Sequence, residues 1–189
     1  MKYEVLMPGR YYHIYNQGNN KENIFIEAKN YYYFLRLVKK YIVPITEIYA
    51  YCLLPNHFHL LVMTSHDVEK KALSQGFSNL FNAYSKAINK TYSRSGSLFK
   101  RKFSRKEIKD EEYIKNLVLY IHTNPRYHKI TVDFETYLYS SYNAFLLDKP
   151  TNISKEYILT LFDGKENFKH IHCRKADIIN EILEAYILE

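Results

Sequence analysis

The sequence predicts an α+β fold built on antiparallel strands. Segments of period two and segments of helical period follow one another as strand, helix, strand, strand, helix, strand, and the two central strands are separated only by Pro55-Asn56, which makes them a hairpin. At 189 residues, 47% apolar and 25% charged, the chain can bury a core, and it reads as one globular domain with a terminal extension.

The first strand is Arg10-Tyr11-Tyr12-His13-Ile14-Tyr15-Asn16, an alternating run of strand-forming aromatics closed by the turn cluster Gln17-Gly18-Asn19-Asn20. From about Glu27 to Val43, Tyr31, Phe34, Leu35, Val38, Tyr41 and Ile42 recur at helical spacing until Pro44 stops them. Ile45 to Leu54 reads as the second strand, with Ile48, Ala50, Cys52 and Leu54 on one side and Glu47, Tyr49, Tyr51 and Leu53 on the other. In the third strand, Phe58, Leu60 and Val62 point to one face while His57 and His59 share the other. A second helix runs to about Tyr92 on Leu73, Phe77, Leu80, Phe81, Tyr84 and Ile88; Lys70, Lys71, Asn79, Asn82, Lys86 and Lys90 read as its solvated face.

Asp110-Glu111-Glu112 suits a helix N-terminus, and the helix that follows carries the apolar stripe Ile114, Leu117, Val118 and Ile121, with Pro125 as its expected end. At 100° per residue, Tyr120 and Asn124 project together from the margin of that stripe, one turn apart. Beyond Ile153, Ile158, Leu161 and Phe162, then Ile178, Ile179, Ile182, Leu183 and Tyr186, suggest two more helices packing on the core or on a partner.

Charge narrows the partners. Lys and Arg outnumber Asp and Glu by 27 to 20, a net charge of +7, which favours a polyanion, with nucleic acid ahead of a membrane. No apolar run of membrane-spanning length and no signal-peptide core is present, and Cys52 and Cys173 lack metal or disulfide spacing, so a cytoplasmic protein with reduced thiols is expected. The segment from Leu98 to Ile108 interleaves Lys100, Arg101, Lys102, Arg105 and Lys106 with Phe99 and Phe103. Two readings fit it: a single-strand groove with Phe99 or Phe103 stacking on a base, or a charged edge strand that resists aggregation. Two readings likewise fit His57 and His59, a metal-binding pincer or a chance pair, and two fit Tyr120, a nucleophile or a boundary core residue.

Taken together and in order, several motifs resemble those of the single-tyrosine HUH transposases of the IS200-like family, in the branch associated with repetitive extragenic palindromes. They are His13-Ile14-Tyr15-Asn16-Gln17-Gly18-Asn19-Asn20, Pro55-Asn56-His57-Phe58-His59-Leu60-Leu61, Gly96-Ser97-Leu98-Phe99-Lys100-Arg101-Lys102-Phe103, Tyr120-Ile121-His122-Thr123-Asn124-Pro125 and Tyr139-Ser140-Ser141-Tyr142. The resemblance spans roughly Tyr11 to Phe145. The chain departs from the family pattern at Arg126-Tyr127-His128-Lys129-Ile130 and at Tyr139, where relatives carry small residues and a Trp.

The resemblance implies a ferredoxin-like α+β core: an antiparallel sheet bearing the His pair, with helices on the one, opposite face. Residues 1–149 would form the catalytic domain and 150–189 a C-terminal helical extension. It implies that Tyr120 attacks a phosphodiester of single-stranded DNA near a hairpin and becomes a 5′-phosphotyrosine, with His57, His59 and Asn124 holding Mg²⁺ or Mn²⁺. An ordinary tyrosine is only about 0.1% phenolate at neutral pH, so charge stabilisation by a cation suits the reaction. The covalent link keeps the phosphodiester's bond energy, so a 3′-hydroxyl can rejoin the DNA without ATP. DNA contacts are expected at His13, Asn16, Gln17, Asn19, Asn20, Arg94, Lys100, Arg101, Lys102, Arg105 and Lys106. Monomeric and homodimeric assemblies both fit. The rival readings are a catalytically silent DNA-binding protein of the same fold and a metal-dependent nuclease that uses water.

Overall fold

The computed structural model describes residues 4–100, 102–176 and 178. Its strands are β1 (Tyr11–Gln17), β2 (Thr46–Leu54), β3 (His57–Thr64) and β4 (Ser104–Ile108); its helices are α1 (Ala28–Tyr41), α2 (Lys70–Thr91), α3 (Glu111–Tyr127), α4 (Tyr142–Leu146), α5 (Lys155–Leu161) and α6 (Lys165–Lys175). The strands form one antiparallel sheet in the order β2-β3-β1-β4. With α1 between β1 and β2 and α2 between β3 and β4, this is the ferredoxin-like arrangement of two interleaved split βαβ units.

Local chemistry accounts for the boundaries. α1 starts on a capping box in which the Glu27 side chain accepts from the Asn30 backbone and Asn30 Oδ1 accepts from the Glu27 backbone N–H at 3.0 Å. Asp110 caps α3 by accepting from Glu112 and Tyr113 N–H groups at 2.7 and 3.2 Å. α2 crosses close to the α1–β2 connection at Gly76, where a Cβ would lie 2.3 Å from Ile45 Cδ1. α1 and α2 cover one face of the sheet, where Phe34 and Phe81 meet Phe58 at ring distances of 5.1 and 5.7 Å. α3 packs on β2 and β3 from the other face, the one that bears the histidines, and α5 and α6 pack on α3.

Three expectations change. A β-bulge between Ile48 and Ala50 breaks the alternation of β2: Ile48 pairs with Val62 and so faces α1 and α2, whereas Ala50, Cys52 and Leu54 pair with Leu61, His59 and His57. Pro125 lies inside α3 instead of ending it; the helix runs two residues further and closes at His128, whose N–H donates to Asn124 O at 3.0 Å. Phe99 is buried against Phe81 and Tyr84 and offers no free face to a base, whereas Phe103 is partly buried, with one face stacked on Phe77 at 5.2 Å.

The outer edge of β2 is covered by a later segment: Leu53 N donates to Tyr139 O and Ser141 N to Tyr51 O, both at 2.9 Å, and Ser154 N donates to Ile48 O at 2.8 Å. This pairing uses up backbone groups that an open edge would present to another chain. Residues 153–176 thus pack on the same body as β2 and α3, and Tyr157 stacks on Tyr11 at 5.9 Å. Of the helix expected over 178–186, all but Ile178 lies outside the described residues; Ile178 itself is exposed. No described helix is long and apolar enough to cross a membrane.

Candidate active site

The register of β1 and β3 assembles a histidine cluster on the α3 face. Tyr15 pairs with His59 and Gln17 with His57, so the alternation brings His13, Tyr15, His57 and His59 to one side of the sheet. His13 Nε2 lies 2.9 Å from His59 Nδ1. His57 Nδ1 lies 2.7 Å from Asn56 Oδ1, which can only accept, so that nitrogen carries the proton and Nε2 carries the lone pair. Across from it, α3 places Asn124 Oδ1 at 3.3 Å from His57 Nε2. Tyr120, one turn earlier, presents its ring edge-on to His59 at 5.2 Å and to His13 at 6.3 Å. The expected gathering of Tyr120 and Asn124 is therefore present, but deeper than the margin of a stripe: they are 3% and 0% exposed, within an unbroken buried run from Leu117 to Pro125.

His57, His59 and Tyr120 line a cavity of about 260 Å³ whose walls also include Tyr15, Asn16, Gln17, Lys100, Lys102, Ser104 and His128. No carboxylate lies among the described lining residues, so the fixed charge of the cavity is positive, as an anionic substrate requires. Burial pushes the His57 imidazole down to about 4, with His128 adding to the effect. Burial likewise holds His13 at about 3, helped by Lys106, and His59 well below the usual histidine range, helped by His13 and His57. All three rings are neutral at pH 7 and keep their lone pairs.

The donor set fits a divalent cation. His59 Nε2 is buried without a hydrogen-bond partner, and two neutral imidazoles with an amide oxygen form an N,N,O set that leaves open positions for substrate and water. Among the described residues, no group of three or more His, Cys, Asp and Glu side chains is arranged around a metal, so the amide is needed to complete the set.

The other expected contacts divide. Asn16, Gln17, Lys100 and Lys102 line the cavity. Asn19 and Asn20 are exposed on a short 3₁₀ turn, Asn20 at φ 52°, away from the cavity wall. Arg94 is engaged with Glu22 and with Asn89. β4 sends Lys106, opposite His13, to the histidine face and Arg105 to the other. His13 is a correction: it is fully buried against His59, which precludes a surface contact with DNA and makes it a support for a candidate ligand. Arg101 lies outside the described residues. Tyr15, Ser104, Asn56 and His128 were missed. Tyr15 was recoverable, since it alternates with His13, whereas the approach of His128 to the His57 ring at 4.7 Å depends on how the chain leaves α3 and has no local signal. A larger groove, about 640 Å³ between α1 and α2, contains none of the expected residues.

No protein-family model matches the sequence, and no curated protein does. Among solved structures, one of a REP-associated tyrosine transposase bound to a REP hairpin superposes with a TM-score of 0.61, covering 82% of this chain and 91% of that one at 14% identity. The chain shares the fold of that transposase.

Proposed function

We propose that the chain is a metal-dependent enzyme that nicks and rejoins single-stranded DNA next to hairpins, with Tyr120 as nucleophile. The observation that carries the reading is that Tyr120, His57 and His59 line one cavity with Lys100 and Lys102, that Asn124 Oδ1 lies 3.3 Å from His57 Nε2, and that among the described residues the cavity has no acidic wall. The shared fold with a hairpin-bound tyrosine transposase supports it.

In this reading His57 Nε2, His59 Nε2 and Asn124 Oδ1 hold Mg²⁺ or Mn²⁺, which when bound polarises the scissile phosphate. Asn56 fixes the proton of His57 on Nδ1 and leaves Nε2 as donor. His13 does the same for His59: with Nε2 committed to the cation, the proton sits on Nδ1 and is donated to His13 Nε2. Lys100 and Lys102 bind the flanking phosphates. The Tyr120 hydroxyl attacks phosphorus, the bond to the 3′-oxygen breaks, and the products are a 5′-phosphotyrosine and a free 3′-hydroxyl. A 3′-hydroxyl that re-enters the site reverses the step.

The test is incubation of the protein and its Tyr120→Phe variant with end-labelled single-stranded hairpin DNA and Mg²⁺ or Mn²⁺, read on a denaturing gel. A metal-dependent, protease-sensitive shifted band with the unaltered protein alone supports the nucleophile. Cleavage that persists without an adduct in the variant moves the assignment to a hydrolytic nuclease. Binding with neither product across a panel of hairpins favours a silent DNA-binding protein.

A further inference from the structure

The segment that walls the catalytic cavity has a second hollow behind it. A trough of about 410 Å³ lies between α2 and a wall made by Ser97, Phe99, Phe103 and Arg105, and Asn16, Lys100 and Lys102 line both spaces, so one wall is shared between them. The α2 side of the trough is made by Ser74, Ser78, Asn82 and Ser85. These positions are spaced four, four and three apart, a single face of the helix, and four residues rise about 6 Å. Short hydrogen-bond donors therefore recur along the trough at a regular step. The sequence had marked Asn82 as solvated surface and had drawn nothing from the serines.

The rest of the lining matches one kind of ligand. Phe81 and Phe103 supply an apolar floor, and Arg105 stands on the rim with its guanidinium 4.6 Å from the Phe103 ring centre. Among the described residues no Asp or Glu lines the trough. Hydroxyl and amide donors beside cations suit phosphate oxygens, and an apolar floor suits sugars and base faces, the combination by which single strands are held without sequence readout. The space is that of a small-ligand pocket, which admits a nucleotide or so of one strand and not a duplex.

We propose that the α2 trough is a second nucleic-acid subsite, which carries the single-stranded flank of the DNA past Lys100 and Lys102 to or from the cavity of Tyr120. It rests on the reading of that cavity as a DNA-processing site.

The test uses the full chain carrying Tyr120→Phe, so that no covalent product forms, and fluorescence anisotropy with oligodeoxythymidylates of four, twelve and twenty residues. Affinity is expected to rise with length. Ser78→Asp combined with Asn82→Asp should cut that rise about tenfold while leaving the shortest oligomer within about twofold. Gln75→Glu combined with Asn79→Asp, the same change of two charges on α2 outside the trough, should behave as the parent. Ser78→Lys should strengthen binding of the longest oligomer, a gain that misfolding cannot produce. Equal behaviour of the trough variant and the Gln75 and Asn79 variant, no length dependence in the parent, or tighter binding of oligouridylate or of a duplex would overturn the proposal. Adduct formation is read separately on the gel: trough-dependent binding without an adduct keeps the trough and removes the nucleophile, and an adduct without trough dependence does the reverse.

Discussion

Two buried histidine clusters sit on different sides of α3, and they differ in what is left over. His122 and His172 are 3.0 Å apart, and every ring nitrogen is placed: His172 Nδ1–H donates to Phe168 O at 2.8 Å, His122 Nδ1–H donates to His172 Nε2, and Ser141 Oγ–H donates to His122 Nε2 at 2.8 Å. The chain of donors runs in one direction and closes on a backbone carbonyl. His13 and His59 form the same ring-to-ring contact at 2.9 Å, but His13 Nδ1 and His59 Nε2 are buried with no partner. Leaving a buried polar atom unpaired costs about 1–3 kcal/mol, so a fold keeps one where a ligand will satisfy it. The complete cluster is a fastener between α3, α6 and the edge of β2; the incomplete one is what the proposed metal site requires.

The contrast can be broken first with acid. All five rings are pushed down by burial, His57 to about 4, His13 and His172 to about 3, and His59 and His122 well below the ordinary value. Below the unfolded histidine pKa of about 6.5, the unfolded chain takes up protons that the folded one refuses. Stability is therefore full above pH 6.5 and falls as the pH drops toward the folded values, by up to about 1.4 kcal/mol per pH unit for each ring. Thermal scans of chelator-treated protein at pH 7, 6 and 5 should show a steep decline in Tm, as a loss of several kcal/mol of stability requires. A flat Tm would mean that the rings are hydrated and neither cluster is as buried as described.

Next in size is His122→Leu, which strands His172 Nε2 while Ser141 Oγ keeps its bonds to the Tyr51 backbone, and which should cost about 1–3 kcal/mol in denaturant titrations. Binding of Mn²⁺ by the folded fraction should not change. A variant that kept full stability but lost Mn²⁺ would exchange the roles of the two clusters. Smaller again is His13→Leu, which removes the acceptor of the His59 proton: Mn²⁺ affinity by calorimetry should fall about 10–100-fold, as for other outer partners of metal ligands. His13→Gln can place an amide oxygen near the lost nitrogen and should recover most of it. Equal loss in both variants would make His13 a packing residue only.

The sequence showed the sheet and the first two helices because their periodicities are local: Phe58, Leu60 and Val62 alternate, and Phe34 and Val38 recur by turns, whatever they pack against. It also brought Tyr120 and Asn124 to one side of one helix. What it lacked came from contacts between distant segments. Nothing near His13 says that His59 will be its partner, because β1 and β3 meet only in the folded register. The bulge at Tyr49 and the burial of Phe99 depend on segments that meet only in the fold. α6 was invisible because it buries little along its length, chiefly Phe168 and His172, the latter a polar residue that no hydrophobic pattern selects.

The central claim is that one tyrosine among 20 is the nucleophile. The most direct test is to trap the covalent adduct with hairpin DNA, digest the protein and the DNA, and locate the nucleotide-bearing peptide by mass spectrometry. The account predicts a phosphotyrosyl nucleotide on Tyr120 alone. A modification on Tyr15, the other tyrosine lining the cavity, or on any tyrosine outside it would contradict the assignment.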